Sequence, residues 1–188
     1  MMSSSIIVGY NLSAIGNHAY FFADAPDSVF CDSCGCCIDD TYLPVNLKSS
    51  NKADIGATYD RRFIVSTRFR DYINSLGFKV SFLPVNQKET LFLMRPMEIV
   101  KFSAHQIENY CDKCHKYFDQ VAPRPDFYYE SGNALKNGIF FTSTSFGSGK
   151  SISPSIILGV ETAKIISDAI KTYKFRGVDI SKITVKVD

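Results

Sequence analysis

Cysteine carries the most chemical reach in this chain, and four of its six cysteines fall into two Cys-x-x-Cys pairs, Cys31/Cys34 and Cys111/Cys114. Two residues between thiolates let both sulfurs reach one tetrahedral ion, and two such pairs complete a four-thiolate site. In Cys31-Asp32-Ser33-Cys34-Gly35 the glycine eases the tight turn of a zinc knuckle, and backbone N–H groups can point at the sulfurs. A site of four thiolates is coordinatively closed. It leaves no position for water or substrate, so its zinc would be structural rather than catalytic. A shared ion would tie the N-terminal third of the chain to its middle. The spacing leaves substitutes open: Cys36 or Cys37 in place of Cys34, and His115 in place of Cys114. Otherwise Cys36 and Cys37 are expected to be small buried hydrophobes.

Three other chemistries use the same residues. Cys111-x-x-Cys114-His115 matches the attachment pattern of c-type haem, a reaction that belongs outside the cytoplasm. A lone Cys-x-x-Cys can be a redox dithiol, but that site wants an apolar strand before it and a helix after it, and the run around Cys111 is polar. Six cysteines could pair as disulfides in a secreted protein. The start of the chain, Met1-Met2-Ser3-Ser4-Ser5, has neither the positive charge nor the long apolar run of an export signal. A cytoplasmic protein with reduced thiols is therefore expected, and metal binding suits it better than either alternative.

Other motifs are weaker. Gly147-Ser148-Gly149-Lys150-Ser151 has part of a phosphate-binding loop, but Thr144 stands where the first glycine is needed and Pro154 follows closely. A flexible polar loop is expected there. His18, His105 and His115 are scattered, and none adjoins a nucleophile motif. Asp39-Asp40 fits a solvated turn better than a cation site. Asp126-Phe127-Tyr128-Tyr129-Glu130 reads as a half-buried strand whose aromatic side chains could also anchor a partner.

These residues need a scaffold. Hydrophobic residues make up 45% and charged residues 21% of the 188, which suits a packed core and not a disordered chain. The net charge of +2 is spread along the chain without the basic stripe that nucleic-acid binding needs, so no nucleic-acid partner is expected. No apolar run approaches the ~20 residues of a membrane span, so no membrane association is expected. The length fits one domain over 1–188, or two pseudo-repeat halves, 1–100 and 101–188.

The two halves would be built on similar units. Phe63-Ile64-Val65 reads as a strand. Ser66 or Thr67 can cap a helix with Phe69, Tyr72, Ile73 and Leu76 on one face, Gly77 ends it, and Val80, Phe82 and Val85 begin another strand. Ile156-Ile157-Leu158, a helix with Ala163, Ile166, Ile170 and Tyr173 on one face, Gly177, and a strand with Ile180, Ile183, Val185 and Val187 repeat the plan. Strands are also predicted over 6–10, 18–22, 91–101 and 138–144. Loops are expected over 11–17, 47–59 and 146–153, with a turn at 25–28. The fold class is α+β: mixed sheets, two strand–helix–strand units and a zinc-knuckle clip.

In that order the pieces resemble the double-CXXCG-motif proteins of bacteria and the related immunity-type proteins encoded beside delivered toxins. The resemblance rests on Cys31-x-x-Cys34-Gly35, Phe63-Ile64-Val65-Ser66 before a helix with Phe69, Phe82-Leu83-Pro84-Val85, Cys111-x-x-Cys114, Asp126-Phe127, Phe146-Gly147-Ser148-Gly149 and Phe175-Arg176-Gly177-Val178. It spans most of the chain. His115 departs from it, standing where the motif has glycine. The resemblance implies a small cytoplasmic protein that binds and neutralises a cognate toxin, without catalysis. The alternative is a zinc- or thiol-dependent enzyme, which would need an open metal position or a cysteine of low pKa.

Overall fold

The strand that organises the molecule is β1, Ser4–Gly16. In the computed structural model, which describes residues 4–49, 52–121, 128–129 and 133–187, β1 carries a neighbour on each edge. The expected loop over 11–17 is therefore mostly strand. Tyr10, Leu12 and Ala14 alternate toward one face while Asn11 and Ser13 take the other, and period-2 alternation with pairing on both sides outweighs the turn propensity of Asn and Ser. The predicted strand over 18–22 is instead coil and turn, where the Phe21 and Phe22 N–H groups donate to the Asp60 carboxylate at 2.9 and 3.0 Å.

The remaining elements are β2 (Ile55–Ala57), β3 (Phe63–Ser66), α1 (Thr67–Ser75), β4 (Val80–Pro84), β5 (Leu91–Pro96), β6 (Glu98–Val100) and β7 (Phe102–Ser103). Then come β8 (Gln106–Cys111), β9 (Lys116–Val121), β10 (Tyr128–Tyr129), β11 (Ile139–Ser148), β12 (Ser153–Leu158), α2 (Val160–Tyr173) and β13 (Val178–Val187). Eleven strands form one mixed sheet with the path β4-β5-β3-β2-β1-β12-β11-β9-β8, and β13 and β6 pair beside it. The fold is α+β. Of the expected strand over 126–130 only Tyr128 and Tyr129 lie within the described residues, paired with β7. The loop expected over 47–59 contains β2, whose Ile55 is fully buried, and β11 runs on to Ser148, so the loop expected from 146 is reduced to one turn of 3-10 helix over Gly149–Ser151.

Both strand–helix–strand units exist, and they share a plan. β3 and β4 are each antiparallel to β5, which lies between them; β12 and β13 are each antiparallel to β1, which lies between them. Each unit is thus a parallel pair split by one inserted strand. Ser66 caps α1, its Oγ accepting from the Phe69 N–H at 3.3 Å, and Gly77 follows the helix at φ 72°. Asp54, buried, joins the units by accepting from Ser66 Oγ at 2.9 Å and from the Arg176 N–H at 3.1 Å.

The two helices cover one face of the sheet. Phe69 and Ile73 of α1 and Ala163, Ile166 and Ala169 of α2 pack with Leu12, Val65, Phe92, Met94, Ile156 and Leu158. Phe69 meets Phe175 edge-on, with centroids 5.2 Å apart. The residues between those contacts in the strands, Ile64, Leu93 and Ile157, belong to clusters on the opposite face, which loops and short strands cover. A bulge at Val8 shifts the β1–β13 register between Ile7 and Gly9, and turns Val8 to that second face beside Ile157 and Ile183. The β1–β12 ladder stops at Leu12↔Ile156; two residues on lies Pro154, which has no N–H to offer.

Two glycines separate backbone strain from crowding. Gly77 and Gly177 both have positive φ, but a Cβ on Gly77 would meet nothing, whereas one on Gly177 would collide with the Ile55 carbonyl oxygen and come within 2.8 Å of Ala53 Cβ. Gly77→Ala should cost about 1 kcal/mol and Gly177→Ala clearly more, about 3 kcal/mol, in urea unfolding. Equal losses would mean that the close approach of β2 to the start of β13 does not hold in solution.

Candidate metal centre

Each cysteine pair sits at the tip of a hairpin. In the first, Phe30 bridges Cys37, the Cys31 N–H donates to the Cys36 carbonyl at 2.9 Å, and the Gly35 N–H returns to the Cys31 carbonyl at 2.7 Å. In the second, Cys111 pairs with Lys116 across β8 and β9, and the His115 N–H donates to the Cys111 carbonyl at 2.8 Å. Gly35 has φ 75° and His115 has φ 57°. The two loops are therefore the same turn, used twice, with Cys31 matching Cys111, Cys34 matching Cys114, and Gly35 matching His115. His115 satisfies the turn by adopting the left-handed conformation itself, at a cost of roughly 1 kcal/mol that glycine avoids.

The tips meet. Cys31 Sγ lies 3.8 Å from Cys111 Sγ, and Cys34 Sγ lies 3.5 Å from Cys114 Sγ. All four sulfurs fall within 4.8 Å of one another. A metal–sulfur distance of about 2.3 Å in a tetrahedron separates the sulfurs by about 3.8 Å, so this cluster could hold a metal ion with little adjustment. The separations far exceed a sulfur–sulfur bond of about 2.05 Å, and all six cysteines are free thiols. Cys31 and Cys111 are buried, while Cys34 and Cys114 are half-buried. Lys113 and Asp32 join the two tips at 2.6 Å, but both are exposed, so the pair contributes little stability.

The substitutes left open by spacing lie outside the set of four, although the Cys36 thiol neighbours that of Cys34. Cys36 Sγ faces the Tyr117 carbonyl at 4.0 Å, Cys37 Sγ faces the Asp39 carbonyl at 3.4 Å, and both side chains are buried. His115 Nδ1 lies 3.0 Å from the Tyr110 hydroxyl. The haem pattern thus has its histidine turned toward a tyrosine. The redox pattern meets a strand before Cys111, but an exposed one in place of the apolar strand that site wants, and a strand rather than a helix after it. Sequence reasoning missed this hairpin because β8 is an edge strand whose side chains from Gln106 to Tyr110 are all exposed, which erases the apolar signal.

The other candidate residues stay apart from the cluster. His18 Nδ1 lies 3.1 Å from the Tyr59 hydroxyl, and the His105 N–H donates to the Val121 carbonyl. Asp39 Oδ1 accepts from the Thr41 N–H and hydroxyl at 2.8 and 2.6 Å, the solvated turn that was expected. Lys150, the basic residue of the partial phosphate loop, places its ammonium 4.0 Å from the centroid of Phe30, against the base of the first hairpin.

The thiols of Cys111, Cys34 and Cys114 differ in how readily they ionise. The backbone N–H of Cys114, with help from that of Lys113, lowers Cys111 to about 6. At Cys34 the Cys36 N–H favours the thiolate, but burial and the thiols of Cys111 and Cys36 outweigh it and carry the group to about 11. Burial, reinforced by the neighbouring thiols, pushes Cys114 up to about 12. Without a cation the centre at neutral pH holds a Cys111 thiolate and thiols at Cys34 and Cys114.

A metal must therefore displace protons, and the sign follows: thiols with raised pKa are protonated below it, so acid favours the metal-free state and affinity climbs with pH. Loading at pH 7.5 should release at least two protons, from Cys34 and Cys114, measured from the buffer dependence of the calorimetric enthalpy; release of none would refute this arrangement. Compared with family models, with curated proteins and with solved structures, the chain matches none, so the centre is interpreted on its own geometry.

Proposed function

We propose that the four cysteines hold one structural zinc ion and that the chain is a cytoplasmic immunity-type protein which binds a cognate bacterial toxin and neutralises it by occlusion. The observation that carries the metal half of this proposal is the convergence of four sulfurs, all within 4.8 Å of one another, from two matching hairpin tips. All-thiolate tetrahedral sites suit zinc or iron, and zinc brings no redox chemistry. Four protein ligands leave no position for substrate, which favours a structural role over a zinc-dependent enzyme. The binding half rests on the order of motifs along the chain, which resembles the immunity-type proteins. A rigid scaffold with a complementary surface is all that occlusion requires. Among the described residues, no helix is long and apolar enough to cross a membrane.

The metal proposal predicts one zinc per chain and four thiols protected from a thiol reagent until a chelator is added. Cys31→Ser and Cys111→Ser should each lower unfolding stability by more than about 2 kcal/mol, because losing a ligand unlinks the two hairpins. Cys36→Ser should leave the metal content unchanged. Metal-free protein with unaltered stability in both ligand variants would rule the centre out.

Neutralisation is tested separately. Co-expression with a toxin-like neighbouring gene should restore growth, and the two products should co-purify. If folded, zinc-loaded protein neither rescues growth nor binds, the immunity role is wrong while the metal centre stands.

A further inference from the structure

A second site lies beside the metal centre, on the sheet face that the helices do not cover. A cavity of about 500 Å³ opens between the first hairpin, the start of β3, β5, β9 and the β11–β12 pair. Three cationic side chains line it: Arg62, Arg95 and Lys116, all half-buried. None of the three forms an ion pair with a carboxylate among the described residues. Each donates to backbone carbonyls, and Arg62 also to the Cys37 side chain. Arg62 donates to Asp60 and Ile152 at 3.0 and 3.1 Å, Arg95 to Asp40 at 3.1 Å, and Lys116 to Cys37 at 2.7 Å.

That tethering fixes the position of each cation without neutralising it. A carbonyl offers a partial charge, and each group keeps unused N–H donors: a guanidinium has five and an ammonium three. Burial works against the Arg62 charge and lowers its pKa. Carboxylates are also near: Asp60 and Asp40 favour the Arg62 charge, Asp60 while accepting from the Phe21 and Phe22 N–H groups and Asp40 from an exposed position, and Asp39 accepts from Thr41. Half-buried cations in this state are stabilised by an incoming anion, which recovers the electrostatic energy lost on burial.

The walls define the rest of the ligand. Phe22 and Tyr42 stack with centroids 5.7 Å apart, and the Arg62 guanidinium lies 4.9 Å from the Phe22 centroid. Phe21 and Leu93 complete an apolar side. We infer that this cavity binds a small anion with a flat apolar body, an aryl carboxylate in its simplest form, the ring against the aromatic wall and the carboxylate between Arg95 and Lys116. Its volume is within the range of small-molecule sites. Lys116 lies two residues beyond Cys114, and Cys37 follows the first pair, so the metal centre positions two edges of the cavity; the anion site itself rests on neither the identity of the metal nor the immunity role.

Benzoate is the probe, followed by NMR shifts in the metal-loaded full chain, with benzyl alcohol as the uncharged control. Benzoate should bind saturably, one per chain, perturbing Phe22 and Tyr42, and benzyl alcohol should bind at least tenfold more weakly. Arg95→Gln and Lys116→Gln should each weaken benzoate about tenfold, while Arg70→Gln, on α1 at the opposite face, should not. Arg95 is the primary variant because its bond to Asp40 is peripheral and its loss leaves the metal ligands untouched. Absence of saturable binding, equal affinity for benzyl alcohol, or full affinity in Arg95→Gln would each overturn the site.

Discussion

Four sulfur atoms within 4.8 Å of one another impose a condition on everything around them. Thiolates that close repel, and burial adds to the difficulty, so all four can carry charge only around a cation. Backbone N–H groups hold Cys111 at about 6, whereas burial first and the neighbouring thiols after it push Cys114 up to about 12. A metal held there would remove the conflict and join two hairpin tips that lie 80 residues apart in sequence. The helix-covered face closes through Phe69, Ile73, Ile166 and their partners, whereas the other face is sealed by segments with little regular structure of their own.

The fold distributes these duties along β1. Because it is inserted between two parallel strands, β1 joins the second strand–helix–strand unit to the rest of the sheet, and its last residues, Ile15 and Gly16, pair with β2 and so reach the first unit. The bulge at Val8 lets one strand serve both cores. Asp54 adds a polar link between the same two units, tying the cap of α1 to the turn before β13. The four-cysteine cluster and the neighbouring cavity lie on the remaining face, where backbone carbonyls accept from the cations. Cations whose direct hydrogen-bond partners are carbonyls keep donors that a ligand can use.

Much of this was legible in the residues. Periodicity located both helices, and Ser66 and Gly77 marked the ends of one of them, because capping and left-handed turns are local physics that one stretch of chain decides. The cysteine spacing identified the four sulfurs for the same reason: two intervening residues are the span of one knuckle, whatever surrounds it. What escaped were β1 beyond Tyr10, β2, and the β8–β9 hairpin. Asn and Ser in β1 are tolerated only because partners on both edges satisfy the backbone, and β8 exposes the side chains that would have announced it.

The sequence by itself determined the α+β class, the two repeated units and the chemistry of the thiol pairs, since each follows from local spacing and side-chain type. Only the tertiary structure decided that the pairs converge, that His115 takes the glycine conformation and turns to Tyr110, and that Cys36 and Cys37 stay outside the set of four, Cys36 as a neighbour of Cys34. Only it brought Arg62, Arg95 and Lys116 around one cavity. Those are relations between segments tens of residues apart. Strand pairing and core packing set such distances, and no local pattern encodes them.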